Sequence, residues 1–261
     1  DRPKDAIGVL SEALGREKEV LGADDLVVGD TTANLGHAYR LAGDFDAARA
    51  QYVEAQRIFT ASLGPRTLRS ALVIAGLASV HQEQQDFEAA RAAFLTSIGI
   101  NEEIYGKGHV SLAPLLNQLA DLEYDMGTYD AGLPHAKEAL EIIDASLGTG
   151  HPYSAVFKIN VGRLELALGQ AEAAVDTLTK AHAALFANEE LSPMWRGEAA
   201  FYLGRALLEH DPQRRPEVDA LGRQAIAEYT RAQSDTATTY VTEIEEWRST
   251  HGFERVSPAV P

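Results

Sequence analysis

A period of 42 residues runs through most of the chain and constrains its fold more than any other feature. Three short markers keep this step along the sequence. A glycine ends the segments VLG, SLG, IYG and SLG, at Gly22, Gly64, Gly106 and Gly148. The segments GDFDAA, QDFEAA, GTYDAG and GQAEAA begin at 43, 85, 127 and 169, and NLG, GLA, QLA, NVG and YLG begin at 34, 76, 118, 160 and 202. Since three independent markers share one period, we predict an array of stacked repeats.

Each repeat is predicted to contain two amphipathic helices. In the first complete unit, apolar side chains recur at spacings of three or four residues within each helix; they are Leu35, Tyr39, Ala48, Tyr52, Ala55 and Ile58. Small residues stand where two helices must approach closely, at Gly36, Ala78, Ala120, Gly162 and Gly204. Polar residues that can cap a helix precede the second helices at Asp44, Asp86 and Thr128, and an equivalent position before the first helices holds Asp25, Thr67, His109 and His151.

This pattern resembles the tetratricopeptide repeat, in the 42-residue form found in kinesin light chains and many bacterial proteins. The resemblance rests on Asn34-Leu35-Gly36, Tyr39, Gly43-Asp44-Phe45, Ala48, Tyr52 and Ala55, and on the LG-x-x-HP linker. It implies an all-α, right-handed α-solenoid of helix-turn-helix repeats, whose first helices line a concave face. The stretch FYLGRALLE … EIEEWRSTHG is also similar to the C-terminal arrays of myxobacterial-type Ser/Thr kinases, although the chain contains no kinase motif.

The domain boundaries follow from the same register. We predict one superhelical domain over 1–250, with the second helix of a truncated repeat at 2–22 and full repeats at 25–66, 67–108, 109–150 and 151–191. A divergent repeat at 192–231, a capping helix at 235–250 and a flexible tail at 251–261 complete the chain. The truncated repeat suggests a larger parent protein. Its helix is expected to expose Ile7, Leu10 and Leu14, which would allow self-association through this open repeat.

Composition excludes several classes of function. The net charge is −16, with 39 acidic and 23 basic side chains, so neither nucleic acid nor an anionic membrane is an expected partner. The chain contains no run of 18 apolar residues, so we do not expect it to insert into a membrane. The chain has no cysteine, which suits a reducing, cytoplasmic setting. The histidines show no ligand spacing, and the loop SLGTGHPYS lacks a Walker-type lysine, so we expect a turn there, no metal, no cofactor and no catalytic residue.

The concave face is therefore the candidate binding site. If the family geometry holds, its residues recur every 42 positions, and a row of amides there suits an extended peptide backbone. The face runs from acidic, at Asp30, Glu83, Asp121 and Asp125, to basic near its last two arginines. The predicted groove residues are Asn34, His37, Arg40, Asn117, Gln118, Tyr124, Asn160, Arg163, Tyr202 and Arg205. The lysine–asparagine clamp of chaperone-binding relatives is missing, because its positions hold Asp30, Ala33, His37, Leu72 and Ala75.

Three functions fit these features of the sequence. The first is a non-enzymatic scaffold that binds a protein or peptide partner in the groove. The second is a regulatory or sensor region of a multidomain bacterial signalling protein, such as a Ser/Thr kinase or a transcriptional regulator. The third is a structural array that self-associates through its open ends.

Overall fold

The computed structural model describes residues 3–256, apart from the side chain of Asp235, and these residues form twelve α-helices and no strand. The chain divides into two compact units, Asp1–Gly127 and Thr128–Pro261. The first unit contains α1 (Pro3–Leu21), α2 (Leu26–Leu41), α3 (Phe45–Leu63), α4 (Leu68–Glu83), α5 (Phe87–Tyr105) and α6 (Leu112–Asp125). The second contains α7 (Tyr129–Leu147), α8 (Pro152–Ala167), α9 (Ala171–Phe186), α10 (Pro193–His210), α11 (Arg215–Ala232) and α12 (Asp235–Thr250).

Side-chain caps start several helices at the predicted positions. Asp25, Asp44, Thr67 and Asp86 each accept a hydrogen bond from a backbone amide in the first turn that follows. His151 plays the same part for α8, because its Nδ1 accepts from the amide of Tyr153. Two of the predicted capping positions differ from this pattern. α6 begins at Leu112, after Ser111, and not directly after His109. Thr128 makes no side-chain capping hydrogen bond to α7.

The glycines of the first marker end the second helices. Gly22, Gly64, Gly106 and Gly148 have φ angles of 90°, 88°, 84° and 91°, in a region that residues with a Cβ rarely adopt. Each amide donates to the carbonyl four residues earlier, as Gly64 does to Thr60. The 42-residue recurrence of glycine therefore marks the ends of the second helices α1, α3, α5 and α7.

Aromatic side chains of second helices fill the space beside glycines of first helices. In the first unit, the ring of Tyr52 on α3 lies against Gly36 on α2 and Gly76 on α4. A Cβ at Gly76 would lie 2.5 Å from Tyr52 Cζ, and one at Gly29 would lie 2.6 Å from Phe59 Cε1. Tyr52 and Phe59 are buried in one hydrophobic cluster with residues of α1 to α4. One second-helix residue thus joins two successive first helices.

The second unit repeats this arrangement with different side chains. Leu178 on α9 occupies the space beside Gly162 on α8, and Tyr229 on α11 lies against Gly197 on α10. Burial, followed by the nearby charge of Glu198, raises the pKa of the Tyr229 hydroxyl well above its ordinary value. The phenol therefore stays neutral in its core position at physiological pH.

The first helix of the chain packs onto the next repeat, which corrects the expected exposure of its apolar residues. Leu14 is buried, and Ile7 and Leu10 pack against the cluster formed by α2 and α3. This follows from the position of α1 as a second helix, which faces the first helix of the following repeat. The exposed large apolar residues of α1 are instead Val9, Val20 and Leu21.

A buried arginine closes the C-terminal end of the second unit. Arg248 on α12 has no exposed surface, and its Nη2 donates to Asp219 Oδ1 at 2.6 Å and to the carbonyl of Glu254 at 2.7 Å. Phe253 and Val256 pack against the surrounding hydrophobic cluster. Phe253 and Val256 of the predicted flexible tail therefore contact the domain, and residues 257–261 lie outside the described residues.

Candidate functional site

In the first unit, polar side chains connect successive first helices. Arg69 on α4 donates two hydrogen bonds, at 2.8 and 2.9 Å, to the carboxylate of Asp30 on α2. Gln82 Nε2 on α4 donates to Asp125 Oδ2 on α6 at 2.7 Å. These contacts link α2 to α4 and α4 to α6. We use the term first-helix face of unit 1 for the surface of α2, α4 and α6 beside these contacts. Its exposed side chains are Asn34, His37, Leu72 and Gln118.

The predicted residues of this face differ in exposure. Asn34, His37 and Gln118 are exposed, whereas Asn117 and Tyr124 are partly buried and contact neighbouring groups. Arg40 is also partly buried: it lies 3.8 Å from Glu83 Oε1 and 20% of its side chain is exposed. The positive charge of Arg40 partly offsets the rise in the pKa of the Tyr52 hydroxyl that burial causes. Arg40 therefore supports the repeat interface, while the amides of Asn34 and Gln118 are open to a ligand.

His37 is a neutral polar group on the same face. Partial burial of its ring, followed by the positive charge of Arg40, lowers the pKa of His37 below its ordinary 6.5. At pH 7 the imidazole therefore carries one donor and one acceptor nitrogen, like an amide.

An exposed apolar side chain accompanies these polar groups. Leu72 on α4 is 67% exposed, more than the other large apolar residues of α2 and α4. It stands in register with Asp30, one repeat earlier. The face therefore combines exposed amides with an apolar contact point.

The first helices of the second unit carry an arginine–tyrosine stack. Arg163 on α8 pairs with Glu198 on α10, with 3.2 Å between Nη1 and Oε1. The guanidinium carbons of Arg163 and Arg205 lie over the ring of Tyr202, at 5.1 and 5.4 Å from its centroid. The structure thus brings together three predicted site residues, Arg163, Tyr202 and Arg205.

Asn160 lies in a different environment from the other predicted amides. Only 4% of its surface is exposed, because α8 is buried on most sides. The expected amide row is therefore accessible at Asn34 and Gln118 but not at Asn160, which is a correction to the predicted groove. The 42-residue register gives the helix position of a side chain but not the size of the neighbours that cover it.

Trp247, near this stack, was not predicted from the sequence to belong to the site. Phe201, beneath Arg205, makes an edge-on contact with Trp247 of α12, with ring centroids 5.4 Å apart. Trp247 follows the divergent last repeat, where the 42-residue register no longer applies. Its aromatic character was visible in the sequence, but no periodic marker placed it beside α10.

The loop SLGTGHPYS is filled by a side chain of its own unit. Lys158 on α8 donates from Nζ to the carbonyl of Thr149 at 2.9 Å and also to Ser154 Oγ, and its Nζ lies 3.6 Å from Asp144 Oδ1. Ser154 is fully buried and donates to the same carboxylate. These contacts hold the turn between α7 and α8.

Metal sites and membrane spans are both absent from the described part of the chain. Among residues 3–256, no three His, Asp or Glu side chains come together in a way that would hold a metal ion. Within the same residues, none of the helices has both the length and the apolar character needed to cross a membrane.

Sequence models of the tetratricopeptide repeat match residues 28–67, 71–111 and 111–185. These segments cover more than half of the chain, and the chain belongs to the tetratricopeptide repeat family. No curated protein matches the sequence significantly.

Solved structures with a similar fold include a putative kinesin light chain of Podosopora anserina with nearly identical TPR-like repeats. It is 18% identical with a TM-score of 0.63, over 79% of this chain and 97% of that one. BtubC of P. vanneervenii is 16% identical, with a TM-score of 0.68 over 100% and 97% of the two chains. YrrB, described as a TPR protein with an unusual peptide-binding site, is 12% identical with a TM-score of 0.50, over 88% and 98%. The predicted fold class, an all-α solenoid of tetratricopeptide repeats, is confirmed.

Proposed function

We propose that this tetratricopeptide scaffold binds an extended segment of a partner protein on the first-helix face of unit 1. The observation that carries the proposal is that exposed amides and an exposed leucine share this face. Asn34 of α2 and Gln118 of α6 offer donors and acceptors, and Leu72 of α4 offers apolar surface.

These groups match the chemistry of an extended peptide. A peptide backbone presents one amide donor and one carbonyl acceptor per residue, and a carboxamide side chain can satisfy both. Leu72 would lose its contact with water when an apolar side chain of the ligand covers it, which favours binding.

The face is also held in place before a ligand arrives. The Arg69–Asp30 and Gln82–Asp125 contacts join α2 to α4 and α4 to α6. Binding then requires little ordering of the scaffold, which reduces its entropic cost. The peptide-binding site named for YrrB, a protein of similar fold, agrees with a binding role for this kind of scaffold.

A peptide selection tests the proposal. The full chain is used to select binders from a displayed library of random 12-residue peptides, and the affinity of the best peptide is measured by fluorescence anisotropy. We expect the double variant Asn34→Ala/Leu72→Ser to bind this peptide at least about tenfold more weakly, since losing one central contact costs roughly 1–2 kcal/mol.

The matched control is Gln51→Ala/Val53→Ser on the second helix α3, which makes the same kinds of substitution away from the face. Val53 is exposed like Leu72. Equal affinities for the wild type and the Asn34→Ala/Leu72→Ser protein would exclude the first-helix face as the binding surface, as would an equal loss in the control.

A further inference from the structure

Exposed apolar side chains recur where the second helices of unit 1 end. Leu21, Leu63 and Tyr105 are the last residues of α1, α3 and α5, and 47%, 42% and 44% of their surfaces are exposed. Leu68 and Val110 lie just beyond the second and third of these helix ends and are exposed as well. Single exposed apolar residues are ordinary, but a contiguous set of them marks an interaction surface.

Ion pairs join the three turns that follow these helix ends. The turns are 22–25, 64–67 and 106–111. Arg57, near the end of α3, donates to Asp24 of the first turn at 2.6 Å. Arg66 of the second turn donates from Nε to Oε2 of Glu103, near the end of α5, at 2.8 Å. The three turns therefore lie side by side, and we call them, with the helix ends beside them, the turn edge of unit 1.

The turn edge is ordered before any partner arrives. Each of its turns begins with a glycine at positive φ that ends the preceding helix. The ring of Tyr105 stacks on that of His109, with centroids 4.1 Å apart and planes 12° from parallel. Association at this edge therefore requires little further ordering of backbone or side chains.

Unpaired charges of opposite sign lie at the two ends of the turn edge. Glu19, beside the first turn, and Lys107, in the third, are exposed and make no ion pair within the part of the chain that the structure describes. Lys18 is directed elsewhere, because hydrogen bonds from Arg57 and, to a lesser extent, the charge of Lys18 lower the pKa of Glu54 on α3. The edge thus has an acidic group at one end, a basic group at the other and apolar side chains between them.

We propose that a second copy of this chain binds the turn edge, in an isologous pair whose two-fold axis passes beside Leu63 and Leu68. This symmetry places the first turn of one copy opposite the third turn of the other. Lys107 of each copy then faces Glu19 of the other, and the central leucines meet across the axis. The turn edge uses other residues than the first-helix face, so the inference goes beyond the proposed function and does not depend on it.

Self-complementarity favours a second copy over an unrelated partner. The opposite charges at the two ends match only when the edge is reversed, and a two-fold axis supplies that reversal. At the centre, Arg57 and Arg66 are already paired within their own chain, so burying the leucines leaves no unpaired arginine there. The net charge of −16 opposes contact between copies at most other surfaces, which confines association to an edge where apolar burial and ion pairs offset this repulsion.

Sedimentation equilibrium of the full chain between about 1 and 100 μM tests the proposal. We expect the wild type to show a monomer–dimer equilibrium in this range. Leu63→Ser/Leu68→Ser should weaken the dimer at least about tenfold, because it removes apolar contacts from both copies at the axis. The matched control is Val53→Ser/Leu95→Ser, which alters exposed apolar residues of α3 and α5 away from the turns and should associate like the wild type.

A charge exchange tests the relative orientation of the two copies. Glu19→Lys and Lys107→Glu each place like charges opposite one another, and each variant alone should dimerise about tenfold more weakly or worse. An equimolar mixture of the two variants should form heterodimers with an affinity close to that of the wild type, because both ion pairs are restored with their signs exchanged. Two damaged folds would not recover in this way.

The remaining outcomes overturn the proposal. A wild type that stays monomeric at about 100 μM excludes a second copy as the partner of the turn edge and leaves a different protein as its occupant. A dimer that the leucine and control variants weaken equally, or a mixture of charge variants that fails to associate, places the contact elsewhere. Peptide binding on the first-helix face is measured separately, and none of these results bears on it.

Discussion

Tyr52 occupies the space that a side chain at Gly76 would need. A Cβ at Gly76 would approach the tyrosine Cζ to 2.5 Å and its hydroxyl oxygen to 2.9 Å. Tyr52 is buried, and burial raises the pKa of its hydroxyl above the ordinary value. The ring therefore has little room to move away from an added methyl group.

Gly76→Ala is expected to destabilise the protein. The clash with Tyr52 should cost about 1–3 kcal/mol, as other overpacked cores do. The matched control is Gly99→Ala on α5, where nothing lies within 4 Å of the new methyl group. That substitution should leave stability unchanged or raise it by about 0.5–1 kcal/mol, because alanine is a better helix former. Urea unfolding followed by circular dichroism measures both, and a Gly76→Ala protein as stable as Gly99→Ala would contradict a tight Tyr52–Gly76 contact.

Arg248→Met is expected to loosen the C-terminal end of the second unit. It removes the hydrogen bonds to Asp219 and to the carbonyl of Glu254 from a fully buried position. We expect a loss of about 2–4 kcal/mol. This lies towards the lower part of the range for broken buried pairs, since Asp219 is 30% exposed and keeps a second partner.

The control for this prediction is Arg223→Gln. Arg223 binds the same carboxylate at 3.0 Å, but it is 44% exposed, so its loss should cost at most about 1 kcal/mol. Thermal unfolding of both variants gives the comparison. Similar losses in the two variants would show that the burial of Arg248 adds nothing to the contact.

The contribution of Asp219 to the stability of the protein is expected to depend on pH. Burial alone would raise the pKa of Asp219, but hydrogen bonds from Arg223 and Arg248 outweigh it and lower the pKa below the ordinary 3.8. A lowered folded-state pKa stabilises the protein fully above the unfolded-state pKa, and this stabilisation is lost as pH falls through the folded-state value. The stability difference between the wild type and Asp219→Asn should therefore be constant from about pH 7 to 5 and shrink below about pH 4. A difference that grows on acidification would contradict a stabilising role for the ionised carboxylate.

The ring of His37 should titrate below 6.5 in a way that depends on Arg40. Partial burial is the larger cause of the lowered pKa, and the charge of Arg40 is the second. Replacing Arg40 with methionine should raise the pKa of His37 without restoring the ordinary value. Proton–carbon NMR of the imidazole C–H groups measures this, and an unchanged midpoint in the variant would remove Arg40 as a cause.

The repeat architecture was predictable because its signals are local. A glycine with positive φ ends α1, α3, α5 and α7, and a small residue lies opposite a large one in both units. Both signals depend only on immediate neighbours in the array. The start of α6 was not predicted in this way. Gly108 also has a positive φ of 79°, and the chain makes an extra turn before Leu112.

The candidate site was harder to predict, because it depends on what covers each side chain. Asn34 and Asn160 share a register position, yet one is exposed and the other buried. Arg163 and Arg205 also share a register position, yet only Arg163 has a carboxylate partner among the described residues. These differences arise from side chains of other helices, which a single period does not specify.

The contacts between neighbouring first helices join residues about one repeat apart. The separations are 39 residues for Arg69–Asp30, 43 for Gln82–Asp125 and 35 for Arg163–Glu198. Contacts of such short range keep the contact order low, so the loops that close during folding do not lengthen as repeats are added. Insertion or deletion of a whole repeat would change the length of the array without changing the kind of interface that forms. Such a chain can therefore gain or lose first-helix surface in steps of one repeat during evolution.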